Sequence, residues 1–422
     1  MFDLFKYELK LKFKSKRTIL LFIIGMVWSV MIVFFSLYTA TSRQLVMDSK
    51  GETLYSGDKI AVDYLKKSQK ELEGLITPEK LTGIYEHYQN TVNAFGGSVK
   101  AIPREVYAEQ ITPLNDLLFF ISYAYTPFYE GEYDSGGMFP RDLKPEDVGQ
   151  TYTMRRNTLQ ALWENSFNQN ETILEKLKAK ENELEEPFYF SSYAGWDSLE
   201  SNWTFMLNPI LVLFSCVILA PTYSKYYEDK SDKVFRAAKF GRKELAIART
   251  ASGLVVALSL YGLCMIINLI MALNFFNPGG LGTSVQFINI FSSANLTIGQ
   301  LMGINIGGTI ITILATGAVT LYLSAKTKSS LVALSFSALI IIINTIVNFS
   351  QTNNAENNSI YFVLNSLSPF GASSLSTSFV FNCYTLMGNS VLTLPLITLL
   401  MSCLIIVVLL ELSVYSYCKF QY

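Results

Sequence analysis

Apolar and polar positions separate along this chain into long blocks. Positions 18–41 are almost wholly apolar, positions 42–204 mix polar and apolar residues, and apolar runs then recur at 205–224, 246–276, 298–323, 331–349 and 391–415. About 20 apolar residues in a helix cross a hydrocarbon core of roughly 30 Å, so these six runs predict six membrane-spanning helices. A seventh apolar stretch, 359–388, is interrupted by Ser366-Leu367-Ser368-Pro369 and Gly371. It predicts a helical hairpin that dips into the outer leaflet and returns. The fold class is an all-α polytopic membrane protein carrying a mainly helical aqueous domain between its first two spans.

Inside the aqueous block the spacing is helical. Thr77-Pro78 supplies a capping hydroxyl and a proline suited to a first turn. Leu81, Ile84, Tyr85, Tyr88, Val92 and Phe95 then recur at intervals of three and four before Gly96-Gly97. Positions 157–184 follow the same period through Leu159, Leu162, Trp163, Ile173, Leu174 and Leu177. The block has enough apolar positions to bury a core of its own. The aromatic cluster from Phe188 to Trp203 reads as an interfacial belt leading into the second span. His87, the only histidine, falls on the polar side of its helix and reads as solvated.

Charge orients the spans. Between Arg43 and Glu200 there are 16 Lys/Arg and 26 Asp/Glu, whereas Thr250–Tyr422 contains only five charged residues: Lys326, Lys328, Glu356, Glu411 and Lys419. Basic residues cluster before the first span, between the second and third, between the fourth and fifth, and after the sixth. The segments 277–297 and 350–390 have none. By the positive-inside rule, both termini are cytoplasmic, the acidic domain is extracellular, and the chain lies in the cell membrane in contact with lipid. No broad basic face marks a nucleic-acid partner. The five cysteines lie outside the acidic block and form no metal-ligand spacing.

The segment 225–245 holds most of the candidate chemistry. Its sequence allows a short amphipathic helix, about 229–240, with Val234, Phe235 and Ala238 on one side, Lys239 in the last turn and Gly241 placed to end it. Such a helix between two spans offers a grip to a soluble partner.

Glu228, then Gly241-Arg242, then Ala248-Arg249 at the start of the third span make the chain resemble the permease subunits of ABC-2 type transporters. In that family an acidic residue, a small-Arg pair and an Ala-Lys pair frame the helix that docks on the ATPase. Here Arg249 stands in place of lysine, and Lys230-Ser231 replaces a frequent Gly-Thr. Positions 1–17, basic and aromatic, resemble the family's interfacial elbow helix, and Ser368-Pro369-Phe370 its outer re-entrant turn. The resemblance implies an exporter permease moving an amphiphilic substrate (peptide, antibiotic or lipid-like). It implies coupling residues Glu228, Val234, Phe235, Arg236, Phe240, Gly241, Arg242 and Arg249, two copies of a separate ABC ATPase subunit, and a second permease, identical or related.

The chain has no GxxxxGK[ST] loop, so it is expected to be no enzyme: it would bind no cofactor, with ATP held by the partner. Asn305, Asn344 and Glu411 are intramembrane polar candidates; for Glu411 a salt bridge to a basic residue such as Lys419 is the expected role. Gly303, Gly307, Gly308 and Gly317 suit close helix approach. Competing readings are a sodium or drug efflux permease, a four-span mechanotransmission transporter, and a membrane-anchored sensor or scaffold whose acidic domain binds a peptide or envelope partner.

Overall fold

In a computed structural model, residues 2–48, 50–166, 171–237, 241–351, 360–381, 384–387 and 390–419 are described. Among the described residues, six helices are long and apolar enough to cross a membrane: Lys16–Thr41, Trp196–Glu228, Lys243–Phe275, Ile298–Thr327, Ser330–Asn348 and Leu394–Lys419. Side chains such as Ile23, Val27 and Phe34 on the first, Phe336, Leu339 and Ile346 on the fifth, and Leu400, Leu404 and Val407 on the sixth are exposed. Apolar belts of this size are stable in lipid, not in water. The chain is a multi-pass, mainly helical membrane protein.

The ends of the helices follow local chemistry. The fourth span starts on a capping box, with Gln300 N–H donating to Thr297 Oγ1 at 3.3 Å and Thr297 N–H to Gln300 Oε1 at 2.9 Å. The second span begins at Trp196, about nine residues before the apolar run suggests. It widens to a π-helical turn over Trp203–Leu207, just before Pro209, where the missing proline N–H disrupts the regular ladder. The sixth starts at Leu394, because Ser390–Thr393 pairs as a strand with Tyr384–Met387.

That pairing corrects the picture of 359–388 as a purely helical hairpin. Its described residues form a helix at Ile360–Ser366, a tight turn at Gly371–Ser374, a helix at Leu375–Val380, and then the strand. Tyr, Thr and Val favour strands, and Gly388-Asn389 between the two strands is hairpin sequence. The turn at Gly371–Ser374 is buried and packs on the fourth span, where a Cβ on Gly308 would collide with the Ala372 carbonyl. Gly317 likewise lets Leu219 approach, within 2.8 Å of where a Cβ would stand, but Gly303 and Gly307 face open space.

The domain between the first two spans is helical with two short antiparallel pairs, Leu45–Met47 with Thr53–Tyr55 and Gly74–Leu75 with Tyr189–Phe190. The helix expected after Thr77 runs Pro78–Ala94, capped by the Thr77 hydroxyl. The single helix expected over 157–184 is instead two, Thr151–Ser166 and Glu171–Asn182. Phe188, Phe190, Tyr193, Trp196 and Trp203 are buried in protein and do not form a lipid-facing belt. Phe188 and Phe190 pack edge-on to Phe287, and Trp196 to Phe276.

One hydrophobic core runs from the domain (Leu81, Phe139) through these aromatics into the bundle (Leu211, Leu260, Ile313). Arg155, fully buried, fastens the join: its Nε donates to the Ile290 carbonyl at 2.6 Å and its Nη2 to the Ser292 carbonyl at 2.8 Å. Its third nitrogen pairs with Glu181, which also accepts from Ser293 Oγ. The domain is thereby fixed to the loop between the third and fourth spans.

Candidate functional site

At the bundle end opposite the domain, the third span begins in a run of small and apolar residues interrupted by Arg249. A guanidinium cannot be buried there without partners, and several elements supply them. The first helix, Phe2–Phe13, lies against the third span and offers Glu8, whose Oε1 accepts from Arg249 Nε at 3.1 Å. The last helix offers the Tyr417 hydroxyl at 3.3 Å from Nη1. Tyr226, at the end of the second span, lies flat beneath the guanidinium, 3.5 Å from ring centroid to Cζ; Phe235 follows at 5.1 Å. Arg249 is 0% exposed.

The chain's first and last helices meet at this one side chain, so both lie at the same end of the bundle. Around it, Tyr223 Oη donates to the Ala246 carbonyl at 3.1 Å and shares a 2.6 Å hydrogen bond with Thr250 Oγ1. Lys12 Nζ donates to Thr222 Oγ1 at 2.8 Å. Burial pushes the Lys12 ammonium down to about 8; Glu8 opposes that shift and Arg249 adds to it.

The turn after the second span explains how Phe235 arrives. Lys230 N–H donates to the Tyr227 carbonyl and Ser231 N–H to the Tyr226 carbonyl, a Schellman closure with Lys230 at φ 55°. The chain reverses at once into a short helix, Asp232–Ala237. It begins three residues later than the helix expected over 229–240, of which 238–240 lie outside the described residues. Phe235, itself 38% exposed, packs on Tyr226 with ring centroids 5.3 Å apart, and Val234 is 75% exposed. The Arg236 side chain and Phe240 lie outside the described residues. Gly241 is buried in a turn; Arg242 is exposed, its carbonyl accepts from Ala246 N–H at 3.0 Å, and its guanidinium has no hydrogen-bond or ion-pair partner among the described residues.

Glu228 has a different place. Its Oε1 accepts from Ser330 N–H at 2.8 Å and Ser330 Oγ at 3.0 Å, capping the start of the fifth span. Sequence reasoning picked out Arg249 and Phe235 but missed Glu8, Tyr226 and Tyr417. Its place as one of two acidic residues amid six basic ones in the first 17 positions was the only signal for Glu8.

The intramembrane candidates do not join this junction. Asn305 Nδ2 donates to Glu200 Oε1 at 3.0 Å, Thr204 Oγ1 at 2.7 Å and Ser376 Oγ at 3.3 Å, and its Oδ1 accepts from Asn208 at 2.6 Å. That network ties the second span, the fourth and the re-entrant segment together. Asn344 donates to its own helix at Ile340. Glu411 forms no salt bridge among the described residues. It lines, with Lys243 and apolar side chains, a groove of about 690 Å³ between the third and sixth spans, while Lys419 sits over the Tyr415 ring at 5.3 Å. Two helical turns separate Glu411 from Lys419, too far for their side chains to meet once Tyr415 intervenes.

Among the described residues no group of three or more His, Cys, Asp or Glu side chains could hold a metal ion. The fold and the junction define a multi-pass membrane protein, with six helices among the described residues long and apolar enough to span and its first and last helices joined through Arg249 at one end. No protein-family model, no curated protein and no solved structure matches the chain.

Proposed function

We propose that this chain is the membrane-spanning permease subunit of an ATP-driven exporter of the ABC-2 type, moving an amphiphilic substrate and worked by a separate ATPase subunit. One observation carries the reading. Phe235 of the short Asp232–Ala237 helix rests on Tyr226 and on the Arg249 guanidinium, which itself joins the first helix to the third and sixth spans, while Val234 is left bare at the surface. A force applied to that helix reaches the second span through Tyr226 and the third and sixth through Arg249 and Tyr417, as a lever requires. A loop serving only as a topological signal needs no such packing. The count of six long helices supports the same reading over a four-span mechanotransmission transporter. In this proposal the Arg249 end faces the cytoplasm, the acidic domain faces outward, and two copies of the ATPase engage two permeases.

The test is a photo-crosslinker at position 234 of the full-length chain in native membranes, with identification of the adduct by mass spectrometry. A nucleotide-binding ATPase without spans is the expected product. In parallel, Phe235→Ala should uncouple transport-stimulated ATP hydrolysis while leaving membrane insertion intact. Crosslinks only to proteins without a nucleotide site would sink the reading and leave the sensor or scaffold alternative.

A further inference from the structure

We propose that a small pocket where the domain meets the spans binds the phosphoglycerol headgroup of a membrane lipid in the leaflet on the domain side. The inference stands apart from the transport reading. The pocket, of about 290 Å³, is walled by the end of the helix Lys59–Ser68, the turn that follows it, and Ser191, Ser192 and Asn277. Asn277 lies two residues past the end of the third span, and its Nδ2 donates to the Ser192 carbonyl at 3.0 Å. Ser192 in turn lies four residues before the second span begins. The pocket therefore sits at the depth of lipid headgroups.

Its rim is basic within an otherwise acidic domain. Lys66, Lys67 and Lys70 are exposed, line the pocket, and form no ion pair with any described residue. Against Asp63 and Glu73 they leave one net positive charge, matching a singly charged phosphodiester. Lysines held at a membrane surface attract anionic headgroups.

The floor adds a second requirement. Gln69 is 1% exposed and donates both its amide hydrogens, to the Pro113 carbonyl at 3.1 Å and to Asp116 Oδ2 at 2.9 Å. Those two bonds fix the orientation of the amide, since exchanging its nitrogen and oxygen would break both. Its Oε1 is buried without a partner, as is the hydroxyl of Ser192, which is 4% exposed. Buried acceptors left unpaired are costly, so a fitting ligand brings a hydrogen-bond donor beside its negative charge. The glycerol hydroxyls of phosphatidylglycerol do so. A choline headgroup carries the phosphate but no donor and has no net charge.

The experiment is native mass spectrometry of the detergent-purified full-length chain, titrated with phosphatidylglycerol or phosphatidylcholine of identical acyl chains. Wild-type protein should retain phosphatidylglycerol at one site with a preference of about tenfold, the scale expected when lysines at a membrane surface select an anionic headgroup. In the triple variant K66Q/K67Q/K70Q that preference should vanish while the melting temperature in lipid-free detergent stays unchanged, because all three side chains are exposed. Equal retention of the two lipids, or an undiminished preference in the triple variant, would overturn the proposal. Stabilisation by soluble glycerol phosphate equal to that by the lipid would overturn the lipid as the source and assign the pocket to a free phosphate ester.

Discussion

Arg249 shows what a single buried charge organises. Taking one partner from a buried ion pair costs about 3–5 kcal/mol, so Arg249→Ala or Glu8→Ala would release the first helix and the 232–237 segment together. Lys12 beside them adds a pH dependence whose sign can be worked out. Burial lowers its folded value to about 8 from an ordinary 10.5, so between those limits the unfolded chain binds more protons and stability rises with pH. At pH 7 the ammonium is charged in both states and its burial is unfavourable throughout. We expect Lys12→Met to be more stable than wild type at pH 7, with the gap in melting temperature closing by pH 10; a constant gap would contradict this. Arg249 stood out in the sequence because Ala248-Arg249 falls where ABC-2 permeases, which the chain resembles, carry an Ala-Lys pair. Glu8 did not, because its partner lies 241 positions away and nothing local points to it.

The connection after the second span shows how one backbone conformation steers a whole segment. Lys230 adopts the left-handed conformation that favours glycine. Holding a side chain there costs on the order of 1 kcal/mol, and part of that gain is cancelled by the greater freedom of glycine in the unfolded chain. Lys230→Gly should therefore stabilise the protein by about 0.5–1 kcal/mol, measured by thermal unfolding in detergent. Destabilisation would mean that the turn is not held as described. The six spans were legible because their runs are long and bounded by charge. The short elements were not. Ser390–Thr393 reads as the head of an apolar run, and only its pairing with Tyr384–Met387 makes it a strand. The helices Thr151–Ser166 and Glu171–Asn182 share one periodicity and fused into a single reading.

For the whole molecule, the domain is not a separate body set on the membrane. Its core continues into the spans, and Arg155 takes its carbonyl partners from the loop between the third and fourth. The sequence suggested a self-contained core in 42–201, since periodicity counts apolar residues but cannot say what covers them. Phe188 and Phe190 need Phe287, and Arg155 without Ile290 and Ser292 is a buried cation short of acceptors. We expect residues 42–201 expressed alone to aggregate or bind hydrophobic dye, with weak protection from proteolysis. A soluble, cooperatively unfolding fragment would show that the join is dispensable. The third span also emerges as a rod fixed at both ends. It is 33 residues long, or about 50 Å at 1.5 Å per residue. Arg249 pins its start, and the loop that Arg155 grips follows its finish. Free energy exchanged along such a rod is reciprocal: a ligand that binds the domain better at one tilt changes the affinity of whatever grips Val234 by the same factor, and that partner changes the ligand's affinity equally in return.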